Sequence, residues 1–229
     1  MTLHRFFVDP DVLAADRFAL PSQIERQVRS VLRLGDGDRL VLLPGDGTQA
    51  LCLLDGGDCV VQERSTVVTE PIHRLTVVQA LLKGDALEEV VQHATELGVA
   101  TFQLIVTERC VARQLSPRRL ERLRLIAREA AEQSERGLVP TIGAPLNLAE
   151  ALVPGSALLY ERHAGETLGR IEAPSAVIIG PEGGFSLAEV AMAEQAGVKI
   201  AGLGPRILRS ETVAVAVAAL ILSRTGDFA

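Results

Sequence analysis

Hydrophobic positions along the chain fall into two regimes. From residue 3 to 65 they form short β-branched or alternating runs, LHRFFV, DRLVLL, TQALCLL and CVVQERS, separated by the turn sequences Pro44-Gly45-Asp46-Gly47 and Asp55-Gly56-Gly57; this pattern predicts a β-rich unit. One helix is expected within it. Ile24, Val28, Val31 and Leu32 keep helical spacing, Ser22 and Glu25 form a capping-box pair, and Gly35 supplies the stop. Residues 66–74 read as a linker. Beyond it, strands and helices alternate. LTVVQALL, TFQLIVT, ALLY, AVIIG and KIAGLG read as strands, and DALEEVVQHATEL as a helix closed by Gly98. The longest helix starts at Ser116 and Pro117, has an apolar stripe of Leu120, Leu123, Ala127 and Ala130, and ends by Gly137. A shorter helix is expected over 146–152, another opens on the capping box of Ser186 and Glu189, and TVAVAVAALIL reads as a final helix despite its strand-like valine alternation. Such alternation predicts an α/β fold with a largely parallel sheet.

Composition adds restrictions. The 229 residues fit one large domain or two small ones. With no Trp, one Tyr and six Phe, the core must be aliphatic, and stacking of bases on aromatic platforms is not expected. Twenty-three Lys and Arg against 29 Asp and Glu give a net charge of −6, so a nucleic-acid partner must be held by a local patch. Residues 109–128 supply one: Arg109, Arg113, Arg118, Arg119, Arg122, Arg124 and Arg128 stand against Glu121 alone. The same arginines also fit a solvated helix face. Three cysteines without CxxC spacing suggest neither a disulfide framework nor a metal site. The longest apolar run, 213–222, is too short for a membrane span, and acids at Asp9, Asp11 and Asp16 speak against a signal peptide, so a cytoplasmic location is expected.

Two segments carry candidate chemistry. Gly180-Pro181-Glu182-Gly183-Gly184-Phe185 follows a strand and precedes a helix, and residues 202–212, GLGPRILRSET, follow the last strand. Glycines there let a backbone approach a polar ligand, although ordinary turns would also use them. Neither segment is a P-loop or a dinucleotide GxGxxG fingerprint.

GPEGGFS and LGPRILRSET together resemble the signature of the SPOUT-class methyltransferases that modify N3 of a uridine in 16S ribosomal RNA of the small subunit. The resemblance continues in HRFFV (4–8), VLR (31–33), LLKGD (81–85), HATELGV (93–99), TERC (107–110), EAAEQSER (129–136) and Val139-Pro140. His93, Cys110, Leu123, Ser210 and Val213 stand where that family has Lys, Ser, Trp, Thr and Ala. The resemblance implies a PUA-like small β-barrel for RNA binding over residues 1–70. It also implies a SPOUT domain over 71–229 with a deep trefoil knot, a homodimer, and S-adenosylmethionine as cofactor without a metal. Carried onto this chain, the cofactor positions are Leu159, Tyr160, Glu161, Gly180, Glu182, Gly183, Gly184, Leu203, Gly204, Ile207 and Leu208. The RNA-facing cations are Arg5, Arg26, Arg29, Arg33, Lys83, Arg109, Arg122 and Arg136. A SPOUT ribose 2′-O-methyltransferase and a non-catalytic ribosome assembly factor are the alternatives.

The reaction itself constrains the catalytic residues. A uracil imide is about as weak an acid as a phenol (~10), so handing its proton to an ordinary glutamate (~4.3) is uphill by roughly 8 kcal/mol. A guanidinium that binds the developing oxyanion lowers this cost. On the resemblance, Arg209 takes that role, and Glu211 positions the base or accepts the proton; Glu211 at a helix N-terminus also fits a dipole-stabilising acid.

Overall fold

The computed structural model describes residues 3–163 and 165–228. The chain divides into two compact units, one of Met1–Glu70 with Ala131–Val139, the other of Pro71–Ala130 with Pro140–Ala229.

In the first unit, β1 (His4–Phe7), β2 (Arg17–Phe18), β3 (Arg39–Leu43), β4 (Thr48–Asp55) and β5 (Asp58–Thr66) form one sheet in the order β1-β3-β4-β5-β2. β1 and β3 pair in parallel and the rest are antiparallel. The edge strands β1 and β2 are not paired with each other among the described residues, so the hydrogen-bonded ladder is open. Phe6, Leu40, Leu42, Cys52, Leu54 and Cys59 point into one core with Ile24 and Val28. Hydrogen bonding to Cys59 and burial push the Cys52 thiol up, consistent with a packed, unreactive side chain.

The expected helix is shorter and differently capped. α1 covers Ser22–Arg26 and widens into a π turn over Gln27–Val31, with Leu32 N bonded to Gln27 O. Pro21 is the N-cap and its carbonyl accepts Glu25 N at 2.9 Å, so the Ser22–Glu25 box is not formed. Arg33 takes a left-handed φ of 59° and closes the turn before Gly35 is reached.

Glu70 and residues of the 131–139 segment make the other notable feature of this unit. Arg136 is 3% exposed. Its guanidinium donates to both oxygens of Glu70, at 3.2 and 2.9 Å, and Glu70 Oε1 also accepts the backbone amides of Gly137 and Leu138. Each buried charge is thus matched by its partner and by further hydrogen bonds.

The second unit holds six parallel strands: β6 (Thr76–Ala80), β7 (Thr101–Val106), β8 (Thr141–Asn147), β9 (Ala157–Leu159), β10 (Ala176–Ile179) and β11 (Lys199–Ala201), ordered β11-β9-β10-β6-β7-β8. The parallel sheet is as expected. Its inner strands are mainly apolar because both faces are covered. Their polar positions are Thr76 and Gln79 in β6 and Thr101 and Gln103 in β7, and of these Gln79 is buried at 0% exposure. β8 escaped the sequence pattern: Ala144 and Pro145 interrupt it, and the register shifts between Gln103 and Ile105 to accommodate them on an edge strand. That strand also takes Leu146 and Asn147 from the short helix expected there, which is limited to α4 (Leu148–Ala151).

The remaining helices are α2 (Ala86–Glu96), α3 (Pro117–Gln133), α5 (Leu187–Gln195) and α6 (Ser210–Arg224). Gly98, at φ +104°, ends the α2 segment, and a Cβ there would lie 2.4 Å from Pro71 Cγ, so only glycine fits. α3 ends at Gln133, short of Gly137; the left-handed φ of 62° falls on Glu135. The capping box of α5 is present, with Ser186 Oγ accepting Glu189 N and Glu189 Oε2 accepting Ser186 N. α6 is a helix, with Ala214, Val217, Ala218, Ile221 and Leu222 buried; it packs on α2 and β10. Among the described residues, no helix is long and apolar enough to cross a membrane.

Candidate active site

Strands β11, β9 and β10 are neighbours and parallel, so the loops leaving their carboxyl ends converge. In an open α/β sheet such an edge is where ligands bind. A cleft of about 630 Å³ opens there, lined by residues 159–162 after β9, 179–185 after β10 and the loop from Leu203 into α6 after β11, with Ala86 at the start of α2. Its size suits a small molecule.

Glycines make the walls close-fitting. Gly184 takes φ +66°, and a Cβ there would stand 2.9 Å from Glu161 Oε1. At Gly180 it would meet the buried Phe185 ring at 3.0 Å. Gly204, at φ +96°, turns the third loop. The Gly180-to-Gly184 wall is also tied to its neighbours. Lys83 N donates to Glu182 Oε1 at 3.0 Å, Arg109 Nη1 to Gly183 O at 3.0 Å, and Glu108 N to Glu189 Oε1 at 2.7 Å. Two of these bonds, from the segments after β6 and β7, hold the loop itself and the third holds α5, which follows it, so the wall is preorganised.

Every cofactor position expected from the sequence, Leu159, Tyr160, Glu161, Gly180, Glu182, Gly183, Gly184, Leu203, Gly204, Ile207 and Leu208, lines this one cleft, as do Arg209 and Glu211. Arg209 is the N-cap of α6 and its side chain is 87% exposed; its Nη1 lies 4.0 Å from Glu211 Oε1. At 4.0 Å, with the guanidinium in solvent, this contact is weak, so Arg209 is free to turn to a third group. Arg162, Arg206, Phe185 and Ser210 also line the cleft. Phe185 belongs to the Gly180–Phe185 segment and Arg206 and Ser210 to GLGPRILRSET, whereas no sequence signal singles out Arg162.

The expected RNA-facing cations divide differently. Arg136, locked to Glu70 and 3% exposed, has no surface to offer a phosphate, and its expected RNA contact is corrected to a structural ion pair. Arg5 is largely covered and lies 2.6 Å from Glu135. Arg29 donates to Leu34 O and Asp36, whereas Arg26 and Arg33 are exposed. In the second unit, Lys83 is exposed and Arg122 is 65% exposed beside Glu88 at 2.8 Å. Several arginines of the 109–128 patch bind the protein itself: Arg113 donates to Thr107 O and Glu108 O, Arg119 to Gly84 O, and Arg124 to Glu121 and Ile142 O. The patch therefore braces the post-strand loops as well as presenting charge. Among the described residues, no cluster of His, Cys, Asp or Glu could hold a metal ion.

Known proteins share both fold and sequence. Residues 69–222 match the RNA methyltransferase domain family. Ribosomal RNA small subunit methyltransferase E of Bacillus subtilis is 31% identical, over 92% of this chain and 92% of that protein. The protein of the same name from Synechocystis is 33% identical, over 91% of this chain and 74% of its own. The crystal structure of the Neisseria gonorrhoeae ribosomal RNA small subunit methyltransferase E bound to S-adenosyl methionine superimposes with a TM-score of 0.90 at 29% identity, covering all of both chains. A methyltransferase from Legionella pneumophila, in complex with bound SAM, gives 0.86 at 25% identity over 98% of each. The chain belongs to the RNA methyltransferase domain family, among the relatives of ribosomal RNA small subunit methyltransferase E.

Proposed function

We propose that this protein uses S-adenosylmethionine to methylate uracil N3 of one uridine in 16S rRNA of the small ribosomal subunit. The observation that carries the proposal is the convergence of three strand-end loops on one cleft whose outer wall ends in Arg209 and Glu211. The residues fit the cofactor: aliphatic Leu159, Ile179, Leu203 and Leu208 offer apolar walls to an adenine, glycine backbone can approach it closely, and the Glu161 carboxylate can accept from ribose hydroxyls or an ammonium. When bound, S-adenosylmethionine supplies a methyl group on a sulfonium.

The chain's own residues align and deprotonate the base. Arg209 donates to a uracil oxygen and stabilises the charge that grows there as N3 loses its proton, while Glu211 orients the ring or takes the proton. Walls braced by Lys83 N and Arg109 keep the donor fixed while the base enters.

RNA is gripped by charge. Arg122 is 65% exposed although its partner Glu88 is largely covered, so its guanidinium can add a phosphate contact while keeping the Glu88 bond; Lys83, Arg26 and Arg33 are exposed, and Arg5, Arg29 and Arg109 complete the set from partly engaged positions. The proposal takes residues 1–70 as a PUA-like RNA-binding domain and 71–229 as a knotted SPOUT domain that works as a cytoplasmic homodimer.

Isothermal titration with S-adenosylmethionine tests the cofactor site: one site per chain is expected, and Gly184→Val, which drives a branched side chain at the Glu161 carboxylate, is expected to abolish it. No heat of binding to the wild-type protein would overturn the proposal.

A further inference from the structure

Gln79 is the fully buried polar residue of strand TVVQA, set between Ile179 of β10 and Leu104 of β7. Its Nε2 donates to Ser210 Oγ at 3.0 Å and to Ala80 O at 3.1 Å. Ser210 Oγ in turn donates to Gly180 O at 2.7 Å. The direction of this chain is fixed by chemistry. Ala80 O can only accept, so the amide nitrogen must face it, and the single hydroxyl proton of Ser210 goes to Gly180 O, so its oxygen receives the amide. The cost is visible at the other end of the side chain, where Gln79 Oε1 is buried without a hydrogen-bond partner among the described residues.

A buried amide with an unsatisfied oxygen is a poor device for stability, since an apolar side chain of the same shape would remove the penalty. What the amide joins explains it. Gly180 begins the cofactor-facing loop after β10, and Ser210 is the first residue of α6, between Arg209 and Glu211. We infer that Gln79 is a positioning residue, whose buried amide holds the Ser210 hydroxyl against Gly180 and so sets the spacing between the Gly180-to-Gly184 loop and the Arg209/Glu211 pair. The inference rests on the proposed reading of those two loops, and it makes the fixed distance between methyl donor and base a property of a side chain that touches neither.

Gln79→Met keeps the volume and removes the donors together with the orphaned oxygen. The variant is expected to keep the wild-type thermal midpoint and KM for RNA, while kcat falls roughly tenfold or more, because misplacement of reacting groups is costly. In the free protein, amide hydrogen exchange of residues 179–185 and 203–213 is expected to rise together. Ser210→Ala cuts the same chain at its second link and is expected to show the same signature, with the double variant no worse than either single one. A large loss of thermal stability in Gln79→Met would assign the amide to the fold and overturn the inference. A kcat within about twofold of wild type, or unchanged exchange in the two segments, would overturn it as well. Wild-type protein that binds no S-adenosylmethionine would instead remove the functional reading, and the exchange measurement would still decide the role of Gln79.

Discussion

Glu189 accepts the backbone amide of Glu108 on Oε1 at 2.7 Å while its other oxygen closes the capping box with Ser186 N at 2.9 Å. One buried carboxylate thus fixes the start of α5 and ties it to the end of β7. A glutamine has one acceptor oxygen for these two donors, and its NH2 would face an N–H. Glu189→Gln is therefore expected to lose about 1–3 kcal/mol of stability, and to weaken cofactor binding because the glycine wall ends at Gly184, two residues before Ser186. Chemical denaturation and calorimetric titration of the same variant check both.

Arg209 and Glu211 can be separated by what each variant retains. Arg209→Ala removes a side chain that is 87% exposed, so folding and S-adenosylmethionine affinity are expected to match wild type. Single-turnover methyl transfer is expected to fall by about 10²-fold or more, the scale of losing one donor to a developing oxyanion. Unchanged turnover would take Arg209 out of the mechanism.

Glu70 and Arg136 make the first unit's most consequential ion pair. Glu70→Ala leaves a guanidinium that is 3% exposed without its carboxylate and frees the Gly137 and Leu138 amides. A loss of about 3–5 kcal/mol is expected, read as a shift of the denaturation midpoint. A change of only a few tenths would mean that water replaces the carboxylate.

Asp46 gives a pH dependence with a definite sign. Hydrogen bonds from the Thr48 hydroxyl, at 2.6 Å, and the Thr48 amide hold its carboxyl below the ordinary carboxylate range. A folded value below the unfolded one means that the ionised group stabilises the fold above the unfolded value of ~3.9, and that this is lost as pH falls through the folded value. The site is exposed, so the effect is a few tenths of a kcal/mol. Asp46→Asn is expected to trail wild type by that amount at neutral pH and to match it in strong acid, measured by urea denaturation at both.

Local chemistry made much of this protein legible. The α5 box is complete within four residues, and both glycine-bearing loops announce themselves between a strand and a helix. Signals failed where a distant residue or the chain's own backbone intervened. Ser22 and Glu25 have the right spacing, yet the Pro21 carbonyl already takes Glu25 N. β8 was hidden by Pro145, which an edge strand with a register shift tolerates. Arg136 looked like surface charge because its partner Glu70 is 66 positions away. The pairing of Gln79 with Ser210 spans 131 positions, beyond any periodicity.

The central claim is a methyl group on uracil N3 of small-subunit rRNA. Its most direct test incubates the protein with small subunits lacking that modification and methyl-labelled S-adenosylmethionine, digests the 16S rRNA to nucleosides and identifies the labelled one. Label in 3-methyluridine, absent with Arg209→Ala, is the predicted result. Label on a ribose 2′-oxygen or on another base, or none transferred, would contradict it.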